Sequence, residues 1–457
     1  MNRSLLRRSF REAIVTLLAA LTTMFCALAL APEPGPMILA VVLCLSLSRS
    51  QLDRDLRGRI EAAIALPVVS LAAIGVTMLL HHLPWLGAVA FVLAIAASIW
   101  LRRFGPVGRK AGILIALPFV VILVTPYAPP RHISPALALM APVIVALLAL
   151  FWVSLFHALG QRLRWLPATP PKLAELAAAT SAAKGLQASD RMALQMAVAL
   201  GAAFVVGQVF FEKHWAWVVL TAFIVSSGNQ GRLDVVYKSL LRVLGAAAGT
   251  FIALLAAVHI GGHGPSTVAL MLAALFMGIW LRPIGYAWWA LFVTLALALL
   301  QGFQGAPTQD VLWPRLEEIC IGALIAIAAA WFVLPVRASE VLRKRMADAL
   351  AALSEALDPA TPERSAVQFL ARLDAVETLA PAFRAMRFAT QRWRPLQPAD
   401  WIDALLACRS GAEALIESGE APGPVRKAVG AARKAMREPE SIQQALVELR
   451  KALAPSA

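Results

Sequence analysis

Residues 191–260 read RMALQMAVALGAAFVVGQVFFEKHWAWVVLTAFIVSSGNQGRLDVVYKSLLRVLGAAAGTFIALLAAVHI, and this stretch decides the fold. Three apolar runs stand in it, at roughly 191–211, 215–228 and 237–259. Short polar interruptions separate them. An apolar run of about 20 residues matches the hydrocarbon thickness of a bilayer. In lipid every backbone N–H and C=O must find a partner inside the chain, so such runs become helices. The stretch therefore predicts membrane helices joined by tight loops.

Working outward, nine further runs appear. Six precede this stretch, at roughly 12–31, 36–48, 60–80, 84–101, 111–125 and 135–158, and three follow it, at 265–281, 284–300 and 316–335. Composition agrees: of 457 residues 60% are hydrophobic and 15% charged, against about 25% charged in an average soluble domain. The expected fold is an all-α integral membrane protein with about twelve transmembrane helices.

Charge sets the expected orientation. The formal net charge is +15. With the N-terminus inside, the cytoplasmic segments before residue 337 hold 21 Lys and Arg, and the opposite side holds only Arg131, Lys213 and Arg315. A seven-to-one bias over short loops is the positive-inside pattern. It accounts for the basic charge without nucleic acid, and it places both termini at the cytoplasmic face of the bacterial inner membrane. The apolar run from Ala13 to Ala31 is 19 residues, longer than the core of a cleaved signal, and reads as the first span.

The two halves match at an offset of about 180 residues. Arg11 and Arg191 open the first and seventh spans, Arg59 and Arg242 the third and ninth, and Arg131 and Arg315 precede the sixth and twelfth. Histidine pairs, His81-His82 and His259/His263, close the third and ninth. Six spans per unit is even, so both units enter from one side as parallel repeats. The expected domains are a first transmembrane repeat at 1–160, a cytoplasmic linker at 161–190, a second repeat at 191–336 and a cytoplasmic helical domain at 337–457. In that last domain Leu342, Met346, Leu350, Leu353 and Leu357 form one stripe. Phe369, Leu370, Leu373 and Val376 form a second, and Trp401, Ile402, Leu405 and Leu406 a third. Ser441 with Gln444 reads as a capping box before Leu446, Leu449 and Leu453.

No Walker A loop, HExxH, GxSxG or strand-borne GxGxxG appears, so no enzyme is predicted. Asp53-Arg54-Asp55 has a DxD spacing but reads as an ordinary charged loop, and no metal or cofactor is expected. Cys26, Cys44, Cys320 and Cys408 lack ligand spacing and read as small buried residues.

The better signal is architectural. Segments 36–48 and 215–228 are both short, hold the second place in each half and end in polar residues: Ser46, Ser48 and Ser50 in one, Ser226, Ser227, Asn229 and Gln230 in the other. Matched short segments in two repeats point to a transporter's binding site; they also fit spans that simply end at the interface. Trp217 and Thr221 share a helical face, while Ser226 joins them only if the helix breaks near it. Arg59 and Arg242 read either as carboxylate clamps or as snorkelling residues. Trp215, Trp217, Trp288 and Trp289 read either as an interfacial belt or as stacking walls. Arg384, Arg387, Arg392 and Arg394, with Phe383, Phe388 and Trp393, read as a solvated face or an anionic-lipid contact. Carboxylates, Glu317 and Glu318 among them, are expected only near span ends.

The run 214–225, then Gly231, then 239–250, resembles the fusaric-acid-resistance family through Trp217-x-x-x-Thr221, Arg242-x-x-Gly245 and Gly249-Thr250. Gly285-Tyr286, Thr294, Arg315, Gly322-Ala323 and Pro335 fit the rest of the module. That family is similar to aromatic carboxylic acid exporters and, more distantly, to plant aluminium-activated malate channels. The first half fits more loosely, with Pro36-Met37 in place of Trp215-Ala216. The resemblance implies export of small organic acids, often aromatic, and often with a periplasmic adaptor and an outer-membrane channel; homo-oligomers are a further expectation. An anionic cargo leaving a negative interior gains about 2.3 kcal/mol per 100 mV.

The expected function is thus an inner-membrane secondary transporter exporting small organic acids. Two alternatives stay open: a passive organic-anion channel, and a membrane scaffold or envelope-assembly factor whose tail recruits partners. The expected substrate-binding residues are Arg242, Trp217, Thr221, Ser226, Asn229, Arg59 and Arg315.

Overall fold

The computed structural model describes residues 3–50, 56–124, 134–166, 188–211, 214–260, 264–303, 308–358, 360, 365–393, 397–420 and 422–453. Asp53-Arg54-Asp55, Arg131, Lys213, His263, Arg394 and most of the expected linker lie outside the described residues.

Every one of the twelve apolar runs falls on a helix. These are α1 (Arg3–Leu30), α2 (Pro34–Ser50), α3 (Leu56–His82), α4 (Pro84–Trp100), α5 (Gly105–Val124), α6 (Pro135–Arg162), α7 (Ala188–Phe210), α8 (Trp215–Ser226), α9 (Arg232–Ile260), α10 (Pro265–Leu281), α11 (Tyr286–Phe303) and α12 (Thr308–Phe332). Among the described residues, eight helices are long and apolar enough to cross a membrane. Phe25, Ile64, Val68, Leu93, Phe251 and Leu324 are exposed on this bundle. Large apolar side chains repeated around a bundle's outside are what a lipid solvent selects. The chain is a multi-pass membrane protein.

The described chain divides into two compact units. In the first, α1 packs on α2 and α6, and α7 packs on α8 and α12. Two further seams join early helices to late ones: α4 on α7 and α10 on α1. Each seam carries an aromatic edge-to-face pair, Phe91 with Phe204 at 5.4 Å and Phe10 with Phe276 at 5.5 Å.

The two second-place helices differ in length. α2 has 17 residues and α8 only 12, so α2 rises about 25 Å and α8 about 18 Å. The expected matched pair is therefore not matched. Pro34 and Pro36 stand in the first turn of α2, where proline costs no hydrogen bond, and Ser46, Ser48 and Ser50 continue the helix. After α8, positive φ at Gly228 (61°) and Gly231 (117°) lets the chain turn into α9.

The second unit takes Gly228–Tyr237 and Pro335–Ala457. Its helices are α13 (Ala338–Ala356), α14 (Val367–Glu377), α15 (Ala380–Thr390), α16 (Pro398–Leu406), α17 (Arg409–Glu417), α18 (Gly423–Ala435) and α19 (Ile442–Leu453). The three stripes read from the sequence meet in one core with Leu446, Leu449 and Leu453. The Ser441 capping box does not form: its hydroxyl donates to the Glu438 carbonyl. A box does form at α16, where Asp400 accepts from the Gln397 N–H at 2.8 Å.

Candidate functional site

α8 and α12 approach each other because Gly322 has no side chain. A Cβ there would stand 2.5 Å from the Val218 carbonyl oxygen and 2.9 Å from the Thr221 Cβ. α9 and α11 meet the same way: Gly245 and Gly249, four residues apart, face the backbone of Ala287 and Leu291. Small residues at this spacing let membrane helices touch backbone to backbone.

Into this tightly packed region the sequence places polar groups. Trp217 and Thr221 lie on α8, both buried. Arg315, on α12, is 1% exposed, and its guanidinium carbon lies 3.9 Å from the centre of the Trp217 ring. One of its terminal nitrogens donates to Gln301 Oε1 on α11 at 3.1 Å. Its Nε and its other terminal nitrogen meet no acceptor, nor do the hydroxyls of Thr221 and Thr294. Arg242 is 2% exposed, its Nε is likewise unmatched, and its charge reaches Arg315 and Tyr286.

These positions correct two expectations. Arg242 was expected at the mouth of the ninth span; α9 starts at Arg232, which puts Arg242 ten residues further along and fully buried. Snorkelling to lipid phosphate needs an exposed head group, so that reading fails. Arg315 was expected in an outer loop but lies within α12. Both arginines therefore leave the loop count, which becomes 20 against 2 and keeps its bias.

One of the carboxylates expected near span ends is buried among the helices. Glu318 is 1% exposed, and neither of its oxygens has a hydrogen-bond partner. His214 Nδ1 lies 3.7 Å from its Oε1. The signal was legible as Arg315-x-x-Glu318, one helical turn apart, directly before an apolar run. Tyr286 and Thr294 are legible only through the family resemblance and Gln301 carries no sequence signal of its own, because a helix number does not say which face meets a neighbour.

Not all the expected residues gather here. Ser226 is buried at the last turn of α8, and α8 is unbroken up to it. Asn229 falls in the second compact unit. Arg59 is half-buried in the first turn of α3, next to Ala62 and Leu66, which belong to a different core cluster. Trp288 is 44% exposed, as a belt residue would be, whereas Trp217 is 8% exposed.

A bundle of apolar helices that buries two arginines, unmatched donors and a carboxylate is a membrane protein with an internal polar site. Residues 198–329 match the family model described as fusaric acid resistance protein-like. The segment contains Trp217, Thr221, Ser226, Asn229, Arg242, Arg315 and Glu318. The chain is also similar to the uncharacterized protein YhfK of Escherichia coli (strain K12), 25% identical over 170 residues. That match covers 36% of this chain and 23% of YhfK, so the chain spans less than a quarter of that relative. No solved structure matches.

Proposed function

We propose that this chain is a secondary transporter of the bacterial inner membrane that exports small organic acids, aromatic carboxylic acids among them. The observation that carries the proposal is a pair of fully buried arginines, Arg315 stacked on Trp217 and Arg242 within reach of Arg315, with N–H and O–H donors that have no acceptor. A buried site rich in unmatched donors and positive charge fits an anion, because unmatched donors are costly until an acceptor arrives. Trp217 adds a ring to the wall, which suits an aromatic acid. The family match supports a transport role.

In this reading the twelve helices form two parallel six-helix repeats, and the second compact unit is a cytoplasmic domain. The paired seams of α4 on α7 and α10 on α1 support the repeat. The lysine and arginine bias supports the orientation.

The test is benzoate efflux from proteoliposomes. The wild-type protein is expected to release benzoate at a rate that saturates with its concentration. Arg242→Ala and Arg315→Ala are expected to fall to the rate of empty liposomes at equal protein content. Wild-type flux no faster than that of empty liposomes would overturn the proposal, and flux that never saturates would favour a channel.

A further inference from the structure

The anion site contains one group that its function as described does not use. Glu318 is buried on α12, and both carboxylate oxygens lack a hydrogen-bond partner. A lone carboxylate taken out of water is costly, and taking up a proton removes the charge. A group that reaches solvent stands beside this carboxylate. His214 caps the start of α8, its side chain is 40% exposed, and its Nδ1 lies 3.7 Å from Glu318 Oε1.

Among the described residues, the other groups facing Glu318 are few. On its own helix stand Arg315, three residues earlier, and Glu317. From α9, Arg242 acts on Arg315. α11 contributes the neutral Gln301, which accepts from Arg315. The charged residues of α7, Asp190 and Arg191, lie in its first turn. Gln195, next along, bonds the Val333 carbonyl at the far end of α12, so that turn is remote from Glu318.

We infer that Glu318 is a proton-binding site linked to the anion site, so that a proton on Glu318 and an anion at Arg315 favour each other. This rests on the anion-transport reading above. When Glu318 is charged, it repels a cargo carboxylate and competes with it for the unmatched N–H groups of Arg315 one turn away. When a proton passes from solvent through His214 to Oε1, the competition ends and Arg315 is left to the cargo. Linkage is reciprocal: if the proton tightens anion binding, the anion must tighten proton binding by the same factor.

The experiment uses the full-length protein in lipid nanodiscs with benzoate as the probe. Calorimetric titrations run between about pH 6 and pH 8 in buffers of different ionisation enthalpy, which reports both affinity and proton uptake. The expected result is affinity that rises as pH falls, up to about tenfold per pH unit, with close to one proton taken up per benzoate. Glu318→Gln is expected to bind benzoate with a flat pH profile and no proton uptake. His214→Gln is expected to keep the equilibrium pH slope but to slow proton uptake in stopped-flow. Wild-type binding without proton uptake would overturn the inference whatever the variants do, and so would an unchanged slope in Glu318→Gln. No benzoate binding at any pH would overturn the transport reading and this inference together.

Discussion

The Arg315 guanidinium stacks on the Trp217 ring, 3.9 Å from its centre, and so ties α12 to α8 inside the membrane bundle. A cation over an aromatic face in a desolvated setting contributes about 2 kcal/mol. Trp217→Ala removes the ring that orients Arg315, whereas Trp288 is half exposed. Benzoate efflux at equal membrane abundance should fall by roughly tenfold or more for Trp217→Ala and less than twofold for Trp288→Ala. Equal losses would detach Trp217 from the cargo path.

Arginine geometry gives a second test. Lysine keeps the charge but lacks the planar fork that grips a carboxylate with two parallel hydrogen bonds. Arg242→Lys should therefore lose most of the transport while the protein remains in the membrane. Full activity in Arg242→Lys would show that charge alone suffices there.

Packing between α8 and α12 depends on a missing side chain. Gly322→Leu would drive atoms into the Val218 carbonyl, already 2.5 Å from an ideal Cβ. Overpacking of a tight contact costs about 1–3 kcal/mol. The variant should show a lower melting temperature and lower membrane abundance. Gly75→Ala, where nothing lies within 4 Å of the added atom, should change neither.

The second unit has its own pH dependence. Burial works against the charge of Asp403, but hydrogen bonds from Arg384 and Arg387 outweigh it and hold its carboxyl below the ordinary 3.8. A carboxylate lowered on folding stabilises the native state above its ordinary value, and that contribution is lost as pH falls through the lowered value. Hydrogen exchange on the full-length protein should show α15 and α16 losing protection as pH drops from about 5 to about 3. Asp403→Asn should start about 1 kcal/mol less protected and change less over that range. A wild-type-like profile in Asp403→Asn would remove the assignment.

Orientation is testable with reporter fusions. Fusions after Ser4 and after Leu453 should report the cytoplasm, and one at Gly264 the outside. An external signal after Leu453 would end the twelve-span arrangement.

The candidate site was partly legible before the fold was known. Trp217 and Thr221 stand out as one face of a short second segment, Arg242 as a charge where the ninth span opens, and Arg315 through the family resemblance. A run of hydropathy places Glu318 near a span's end without saying how far the helix extends beyond it or which side chains surround it. Arg59 and Asn229 were included on positional symmetry between the halves, and symmetry of sequence position does not bring side chains to one place.

What the sequence determined by itself was the solvent of each segment. Twelve apolar runs, a lysine and arginine bias and an amphipathic tail are one-dimensional facts, and the cost of unpaired backbone in lipid turns them directly into helices. Only the tertiary structure decided which buried polar groups share a site. That choice depends on helix rotation and approach, set by contacts such as Gly322 against Val218 and Gly249 against Leu291. In lipid no hydrophobic force selects a face for such contacts. Shape and polar matching select it, and these are properties of pairs of helices that no single segment records.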